Sequence, residues 1–191
     1  MTDKGPRIEQ IPEGDSRPRL VCPECAYIEY RNPKIVNVSV ATYEGKFLLC
    51  RRGIEPRTGY WTLPGGFMEN GETLKEGALR EAFEEASAKG AIGPLLAIYQ
   101  TPNLSNVMMV FHLELQSSKL APGPESLEVK LFDWKDIPWD ELAFPMVEYA
   151  LKRYDLVKDN PNVQPEMLVL PPIKPSSGAV GSTAAPVTPK G

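Results

Sequence analysis

The sequence predicts an α/β protein in which a mixed β-sheet is packed between helices, an α/β/α sandwich. The first observation is that strand-like and helical patterns follow one another between residues 34 and about 156. The second is that 42% of the 191 residues are hydrophobic, enough for a substantial single core. The third is a change of composition on either side of this stretch. Together they predict one globular domain, residues 34–156, with two flanking segments.

The flanking segments differ from the central domain in composition. Residues 1–33 are polar, are punctuated by proline and glycine, and contain Cys22 and Cys25. Residues 157–191 are rich in proline, serine, glycine and alanine, with few large apolar side chains. Such a tail cannot offset the entropy cost of ordering. We predict that it is mostly disordered from about residue 173, with residues 167–170 as the stretch that could dock on the domain.

Two strands joined by a tight turn are predicted at the start of the domain. Apolar residues alternate over residues 35–40, and a second apolar run covers residues 47–50. Glu44 and Gly45 lie between the runs, as in a hairpin. We expect the two runs to pair with each other.

A helix is predicted over residues 74–88. Thr73 and Glu76 have the spacing of a capping box, and Gly90 is the next helix breaker. At about 100° per residue, the carboxylates of the helix fall on one side, together with Gly77, and its apolar residues fall on the other. The carboxylates are Glu81, Glu84 and Glu85; the apolar residues are Leu79, Ala82, Phe83 and Ala86.

This carboxylate face predicts a site for a divalent metal. Three carboxylates so close together repel one another and raise each other's pKa, which costs stability unless a cation lies among them. Mg²⁺ or Mn²⁺ takes oxygen ligands and keeps room in its shell for substrate phosphates. A solvated helix surface paired with Arg80, Lys75 and Lys89 is the alternative.

Further strands and a closing helix are predicted after the carboxylate helix. Residues 106–115 alternate as a strand does, and residues 129–134 form one more run before a turn at Ile137-Pro138. A helix is predicted over residues 144–154, since Pro145 is tolerated in a first turn. Its apolar face comprises Val147, Ala150, Leu151 and Tyr154.

The segment from residue 66 to residue 88 resembles the signature box of the Nudix hydrolases. That box runs Gly, five residues, Glu, seven residues, Arg-Glu, an aliphatic residue, one residue, Glu-Glu, one residue, Gly and an aliphatic residue. Ser87 departs from it, standing where the family usually has glycine. The matching residues are Gly66, Glu72, Arg80, Glu81, Glu84 and Glu85.

The resemblance implies roles for these residues. It assigns Glu81, Glu84 and Glu85 to metal binding and catalysis, with a further metal contact from the carbonyl of Gly66. It assigns Glu72 and Arg80 to a supporting ion pair. It also implies that residues 34–156 adopt the Nudix fold and that the protein hydrolyses a pyrophosphate bond with Mg²⁺ or Mn²⁺.

The resemblance extends to one Nudix subgroup whose members are FAD and ADP-ribose pyrophosphatases. The match covers most of residues 11–154, including the stretches 60–67 and 122–128. It implies cleavage of FAD to FMN and AMP, or of ADP-ribose to AMP and ribose 5-phosphate. Pro102 resembles a proline of ADP-ribose-hydrolysing members, and Leu104 and Met108 could line a slot for a flavin ring.

Residues outside the box are candidates for the remaining catalytic and binding roles. Glu125 and Glu128 lie where several Nudix enzymes carry an extra metal ligand or general base; the alternative is that they only flank a strand. The candidates for substrate binding are Arg51 and Arg52 as cations for the pyrophosphate, Tyr60 and Trp61 as stacking surfaces, and Gly65 beside the box. Core or loop packing is the alternative for either aromatic residue.

Cys22 and Cys25 form one half of a zinc ribbon. Structural zinc needs four ligands, and a second Cys-x-x-Cys is missing. The N-terminal segment resembles the ribbon of the same Nudix subgroup, whose members carry another such pair about where residues 1–4 stand. Two reduced thiols are favoured over a zinc site, and a start further upstream is the other explanation. Cys50 fits a small apolar core position.

The distribution of charged and apolar residues limits the kinds of partner that we expect for this protein. The net charge is −4 with no basic stripe, which argues against a nucleic-acid surface. No apolar run reaches the roughly 20 residues that a membrane span needs, and no secretory leader is visible. We expect a cytoplasmic enzyme for a small nucleotide, and the resemblance is compatible with a homodimer. The non-enzymatic alternative is a Nudix-fold ligand sensor or a binding module.

Overall fold

The computed structural model describes residues 4–160 and 162–172. The chain divides into two compact units, Met1–Lys34 and Ile35–Gly191. No helix in the described ranges is both long and apolar enough to cross a membrane.

The first unit is a small antiparallel sheet. Its strands are β1 (Ile8–Gln10), β2 (Arg19–Val21) and β3 (Ile28–Glu29), in that order. The turn between β2 and β3 is closed by hydrogen bonds around Cys22: its N–H donates to the carbonyl of Tyr27 at 2.8 Å, and its carbonyl accepts from Ala26 at 2.8 Å. This unit has the hairpin layout expected of a ribbon.

The second unit contains a mixed sheet and two helices. The strands are β4 (Lys34–Tyr43), β5 (Lys46–Arg52), β6 (Trp61–Thr62), β7 (Gly65–Phe67), β8 (Gly90–Thr101), β9 (Asn106–Leu115), β10 (Ser126–Phe132) and β11 (Glu166–Val169), and the helices are α1 (Leu74–Ala86) and α2 (Pro145–Val157). The sheet order is β10-β5-β4-β9-β8-β11, with β6 paired to β5 and β7 paired to β4. The pairs β10–β5, β5–β4 and β8–β9 are antiparallel, whereas β11 joins β8 in parallel.

Helices cover both faces of this sheet. On one face, apolar residues of α2 such as Val147 and Leu151 pack with Val40, Leu49 and Tyr99 of the strands. On the other face, Ala82 and Ala86 of α1 pack with a second group of strand residues: Ala41, Leu48, Cys50 and Leu113. The protein is therefore the predicted α/β/α sandwich with a mixed sheet.

The local signals placed most elements correctly. Glu44 and Gly45 form the turn between β4 and β5, with Tyr43 paired to Lys46. Thr73 and Glu76 form both hydrogen bonds of the capping box that starts α1. Phe144 is the N-cap residue of α2, and Pro145 is in its first turn.

Three observations differ from the sequence-based expectations. β8 was not predicted, because Gly90, Gly93 and Pro94 interrupt its alternation; the strand accommodates them with two register shifts between Ile92 and Ala97. Phe83 was placed on the core face of α1, but it is 49% exposed, and the ammonium of Lys89 lies over its ring. Docking was expected for residues 167–170, but the sequence did not indicate that this segment after α2 forms a strand of the sheet.

The segment assigned to the tail contributes the edge strand β11. Residues Glu166–Val169 pair with Ala97–Gln100, and Leu170 is buried. The docking expected for residues 167–170 is therefore present in the structure. The disorder expected from about residue 173 concerns residues outside the described part of the chain.

Candidate active site

Helix α1 presents its carboxylates at the edge of a cavity because its opposite face is fixed in the core. Ala78, Ala82 and Ala86 of α1 lie on that opposite face and are fully buried. The small strand β7 runs beside the helix, and a Cβ atom on Gly66 would collide with the carboxylate of Glu81. Glycine at this position therefore lets the backbone lie directly against that carboxylate.

Arg80 lies at the centre of a network of ion pairs. It donates two hydrogen bonds to the carboxylate of Glu72, at 2.8 and 2.9 Å. It also donates to Glu81 Oε1 at 2.8 Å and to Glu84 Oε2 at 3.0 Å, and to the carbonyl of Phe67 at 3.0 Å. Hydrogen bonding to Arg80 lowers the pKa of Glu72 to about 2. The supporting ion pair implied for Glu72 and Arg80 is present in the structure.

Glu85 is the carboxylate that this network leaves out. Burial raises its pKa to about 8, and the neighbouring charge of Glu81 adds to the increase, while a backbone N–H from Gly65 opposes it. Its Oε2 atom is buried and has no hydrogen-bond partner within the described structure. Burial also raises the pKa of Glu81, against the effect of Arg80. Glu81 and Glu85 therefore lie where hydrogen bonds and nearby positive charges do not fully compensate a negative charge.

The donor set fits a hard divalent cation. Carboxylate oxygens of Glu81, Glu84 and Glu85 are the ligand type that Mg²⁺ and Mn²⁺ prefer, and the orphaned oxygen of Glu85 lacks a positive partner. As the side chains stand, no three acidic, histidine or cysteine residues among those described are arranged around one ion position. Arg80 pairs with two of the glutamates instead. Binding a cation therefore requires the side chains of Glu81 and Glu84 to turn away from Arg80.

A cavity of about 810 Å³ opens beside the glutamate cluster. This volume falls in the usual range for a small-molecule site, roughly 300–1,000 Å³. The sequence-predicted site residues that line it are Gly65, Gly66, Glu81, Glu84, Glu85, Arg52 and Glu125, together with Arg80 of the supporting pair. The structure therefore brings most of the predicted site to one cavity.

Glu125 reaches the cavity on a loop fastened to α1. The N–H of Gly123 donates to the carbonyl of Glu85 at 3.0 Å, and the N–H of Gly53 donates to the carbonyl of Glu125 at 2.7 Å. A Cβ on Gly123 would overlap the carbonyl of Glu84, so only glycine permits this close approach. The negative charge of Glu125 contributes to the raised pKa values of Glu81 and Glu85.

Four other candidate residues are not part of the cavity lining. The Nε of Arg51 donates to the carbonyl of Gly59 at 2.9 Å, and its guanidinium pairs with Glu128 at 3.8 Å. Trp61 is only 6% exposed and packs edge-on against Phe132. Tyr60 lies under the guanidinium of Arg57. Arg51 and Arg52 separate because successive strand residues face opposite sides of the sheet.

Some residues that line the cavity were considered from the sequence and others were not. Leu104 and Met108, considered for a flavin slot, do line the cavity. Asn106, Phe144, Met146 and Leu170 line it as well but were not named as site residues. Asn106 lies two residues before Met108, on the same face of a strand that was recognised, so its position was a usable signal. No local pattern marks Leu170, because it reaches the cavity only through the pairing of β11.

Cys22 and Cys25 are the only thiols in the described part of the first unit, so they form half of a four-cysteine zinc site. Cys22 is buried, its thiol lies 3.1 Å from Glu24 Oε2, and Cys25 is exposed. Arg7 pairs with the carboxylate of Glu24. No third cysteine or histidine lies among residues 4–34. Cys50 belongs to the second unit, where burial raises its pKa and keeps it a neutral core residue.

Comparison with known families identifies the class of protein that this fold and site define. The NUDIX domain family matches residues 33–153, and the Nudix N-terminal zinc ribbon family matches residues 5–31. The chain therefore belongs to the Nudix hydrolases, enzymes that cleave phosphoric anhydrides.

Individual relatives agree with this assignment. An ADP-ribose pyrophosphatase of Methanocaldococcus jannaschii is 32% identical over 122 residues, which are 62% of this chain and 71% of the relative. The crystal structure of a NUDIX hydrolase from Nitrosomonas europaea is 43% identical, with a TM-score of 0.79, and the match covers 89% of this chain and 98% of that one.

One further relative is a much longer protein. The NAD-capped RNA hydrolase NudC of Salmonella paratyphi C is 29% identical over 121 residues, 62% of this chain but 46% of the relative. This chain thus matches less than half of that enzyme.

Proposed function

We propose that the protein hydrolyses the pyrophosphate bond of a nucleoside diphosphate derivative with Mg²⁺ or Mn²⁺, and that FAD or ADP-ribose is its substrate. The observation that carries this proposal is the carboxylate of Glu85, whose buried Oε2 lacks a hydrogen-bond partner, beside Glu81 and Glu84 in a cavity large enough for a nucleotide. A solvated helix surface would not place a carboxylate in that environment. An ADP-ribose pyrophosphatase among the relatives supports the same substrate class.

A divalent cation would be held by Glu81, Glu84, Glu85 and the carbonyl of Gly66. When bound, a divalent cation stabilises negative charge on the diphosphate and lowers the pKa of water. Glu84 would provide exposed oxygens and Glu81 largely buried ones, whereas Glu85 would provide a buried oxygen whose ionisation the cation favours. Arg80 keeps its two hydrogen bonds to Glu72 when Glu81 and Glu84 turn toward the cation, because those bonds do not involve either glutamate.

Other groups of the chain bind the diphosphate and accept the proton. Arg52 lines the cavity and its charge already favours the ionised form of Glu85, so its guanidinium is placed to bind phosphate oxygens. Glu125 lines the same cavity and is the best-placed general base. A base must reach the attacking water within hydrogen-bond distance, which Glu128, paired with Arg51 outside the cavity, does not do.

The lining of the cavity favours a substrate with a large ring system. Leu104, Met108, Phe144 and Met146 contribute apolar surface near the charged cluster. An isoalloxazine ring needs such a slot, whereas the second sugar of ADP-ribose needs polar contacts. Asn106 and Thr101 are polar lining residues that could serve a sugar. FAD is therefore the first candidate and ADP-ribose the second.

A substrate panel tests the proposal. Release of AMP should be measured with FAD, ADP-ribose, NADH, NAD-capped RNA and a nucleoside triphosphate, each with Mg²⁺ or Mn²⁺. We expect the highest kcat/KM for FAD or ADP-ribose. A preference of tenfold or more for the triphosphate, about 1.4 kcal/mol, would reject the substrate class. A preference for capped RNA would reject the expectation, based on the net charge of −4, that no nucleic acid binds.

The non-enzymatic alternative predicts a different result. A Nudix-fold sensor would bind one of these nucleotides without releasing AMP at any metal concentration. The cytoplasmic location and the homodimer are also proposals, and the homodimer is supported by the subgroup resemblance. Light scattering of the purified protein distinguishes a monomer of 21.2 kDa from a dimer.

A further inference from the structure

The edge strand β11 brings residues from far along the chain to the cavity. Leu170 and Pro171 line the cavity, although they follow the Nudix domain match, which ends at residue 153. Leu170 is 6% exposed and belongs to the same core cluster as Val147 and Leu151 of α2. The segment therefore forms part of the cavity wall as well as part of the core.

Three kinds of contact fix this segment in place. β11 pairs in register with Ala97–Gln100, and the N–H of Leu170 extends the ladder by donating to the carbonyl of Gln100 at 2.9 Å. The hydroxyl of Tyr99 donates to Glu166 Oε1 at 2.9 Å. Arg153 of α2 donates to the carbonyls of Leu96 and Gln164. The backbone hydrogen bonds of β11, together with the contacts of Tyr99 and Arg153, give this part of the cavity wall a defined position.

The wall lies at a distance from the metal-binding glutamates. Gly66 is paired to β4, whereas Leu170 follows β11, and the sheet order places β11 three strands from β4. Since Gly66 lies in β7, one strand further on, four strand spacings separate it from β11, which correspond to about 19 Å. Because Leu170 and Pro171 line the same cavity as the glutamates, a substrate whose diphosphate is held at the glutamates can extend toward them.

We propose that Leu170 and Pro171 are specificity-determining residues, which pack against the part of the substrate beyond the diphosphate. This inference rests on the proposed hydrolysis of a nucleoside diphosphate derivative. The partner is an apolar ring face, because a leucine and a proline side chain offer no hydrogen bond. The Nudix box thus supplies the reaction, and a strand outside the box contributes to the choice of substrate.

The test uses three variants of the full chain: Leu170→Ala, Pro171→Ala and the control Val169→Ala. Val169 is on the same strand but is 66% exposed and does not line the cavity. KM and kcat are measured for FAD and for ADP-ribose, with the melting temperature of each variant. We expect Leu170→Ala and Pro171→Ala to raise KM at least fivefold for the preferred substrate, with kcat within twofold of wild type. The control should change neither constant by more than twofold.

Each outcome decides the proposal. Unchanged KM in a folded Leu170→Ala protein overturns it, and so does a fall in kcat alone, which would indicate a purely structural role. If Leu170→Ala does not fold, Pro171→Ala decides, since Pro171 is exposed and contributes no ladder hydrogen bond. A wild-type protein that releases AMP from no substrate rejects the proposed function itself, and with it this inference.

Discussion

Charge balance among Glu72, Glu81 and Glu84 depends on one arginine. Arg80 contacts Glu72, Glu81 and Glu84 at once, so one positive charge faces three negative ones. Glu85 stands apart from it, buried and unpaired at one oxygen. Uncompensated carboxylates in a partly buried cluster attract a cation, because removing charge from water is costly unless an opposite charge is present.

Replacing Glu84 or Glu85 by glutamine should remove most activity while the fold is retained. Each change deletes a charged metal ligand and keeps the side-chain shape, and reduced repulsion should maintain or raise the stability of the metal-free protein. Turnover should be measured at saturating substrate and limiting Mg²⁺, with circular dichroism to confirm folding. Glu141→Gln, at an exposed position outside the cavity, is the control. Wild-type turnover in both Glu84→Gln and Glu85→Gln would show that the site lies elsewhere.

The stability of the metal-free protein should depend on the ionisation of Glu85. Its pKa is about 8 in the folded protein against an ordinary value of 4.5, so the folded state binds this proton more tightly than the unfolded state. The associated stability is present below the unfolded pKa and is lost as pH rises through the folded pKa. The loss is at most about 1.4 kcal/mol per pH unit for one proton.

Urea unfolding of wild type and Glu85→Gln in EDTA, between pH 5.5 and 8.5, measures this effect. The wild type should lose stability relative to the variant as pH rises across that window. His112, whose pKa is lowered by burial, acts in the opposite direction but equally in both proteins. Parallel pH profiles would mean that Glu85 ionises normally.

At the scale of single elements, helix α1 ends in a strained conformation. Ser87 has a φ of 52°, in the left-handed region, and its N–H still bonds to the carbonyls of Ala82 and Phe83. The Nudix box usually has glycine at this position, which adopts such a φ without a Cβ penalty. The departure noted in the sequence thus has a physical consequence at the helix end.

Ser87→Gly should therefore stabilise the protein. Relief of the left-handed strain should raise the free energy of unfolding by about 1 kcal/mol, net of the extra entropy that glycine gives the unfolded chain. The melting temperature should rise by about 2–4 °C, with activity unchanged. Lys152→Gly, exposed in the middle of α2, should have the opposite effect, with a loss of about 1 kcal/mol. A decrease for Ser87→Gly would show that the serine side chain contributes an interaction of its own.

At the scale of the whole molecule, two truncations separate the strand β11 from the residues after it. Removing residues 176–191 should leave the melting temperature and kcat/KM nearly unchanged, because a Pro/Ser/Gly/Ala segment has little apolar surface to bury. Removing residues from Glu166 onward should lower the melting temperature by several degrees, since it exposes Tyr99 and the edge of β8 and deletes buried Leu170. Thermal unfolding and AMP release check both. A large loss in the shorter truncation would mean that the final segment packs on the domain or on a second copy.

The first unit should be folded without stoichiometric zinc. Residues 4–34 contain only Cys22 and Cys25 as thiol ligands, and Arg7 pairs with Glu24 beside them. Metal analysis of the purified chain should give much less than one zinc per protomer, and a chelator should leave the melting temperature unchanged. One zinc per protomer would mean that further ligands, not identified from the sequence, complete the site of Cys22 and Cys25.

Local sequence patterns determined a large share of this protein. The capping box fixed the start of α1 because Thr73 and Glu76 satisfy backbone groups within one turn. Turn residues and alternation placed β4, β5, β9 and α2 for the same reason: their signals lie within a few neighbouring residues. The spacing of Glu81, Glu84 and Glu85 also placed the carboxylates on one face, since helical geometry alone sets that relation.

Only the tertiary structure decided which residues meet at the cavity. Arg51 and Arg52 are neighbours in sequence, yet the pleat of β5 sends only Arg52 to the cavity. Trp61 looked like a stacking surface but is buried against Phe132. Leu170 reaches the site because β11 pairs with β8, about seventy residues earlier in the chain. Such contacts depend on non-local pairing and on the burial of whole faces, which a local pattern in the sequence does not encode.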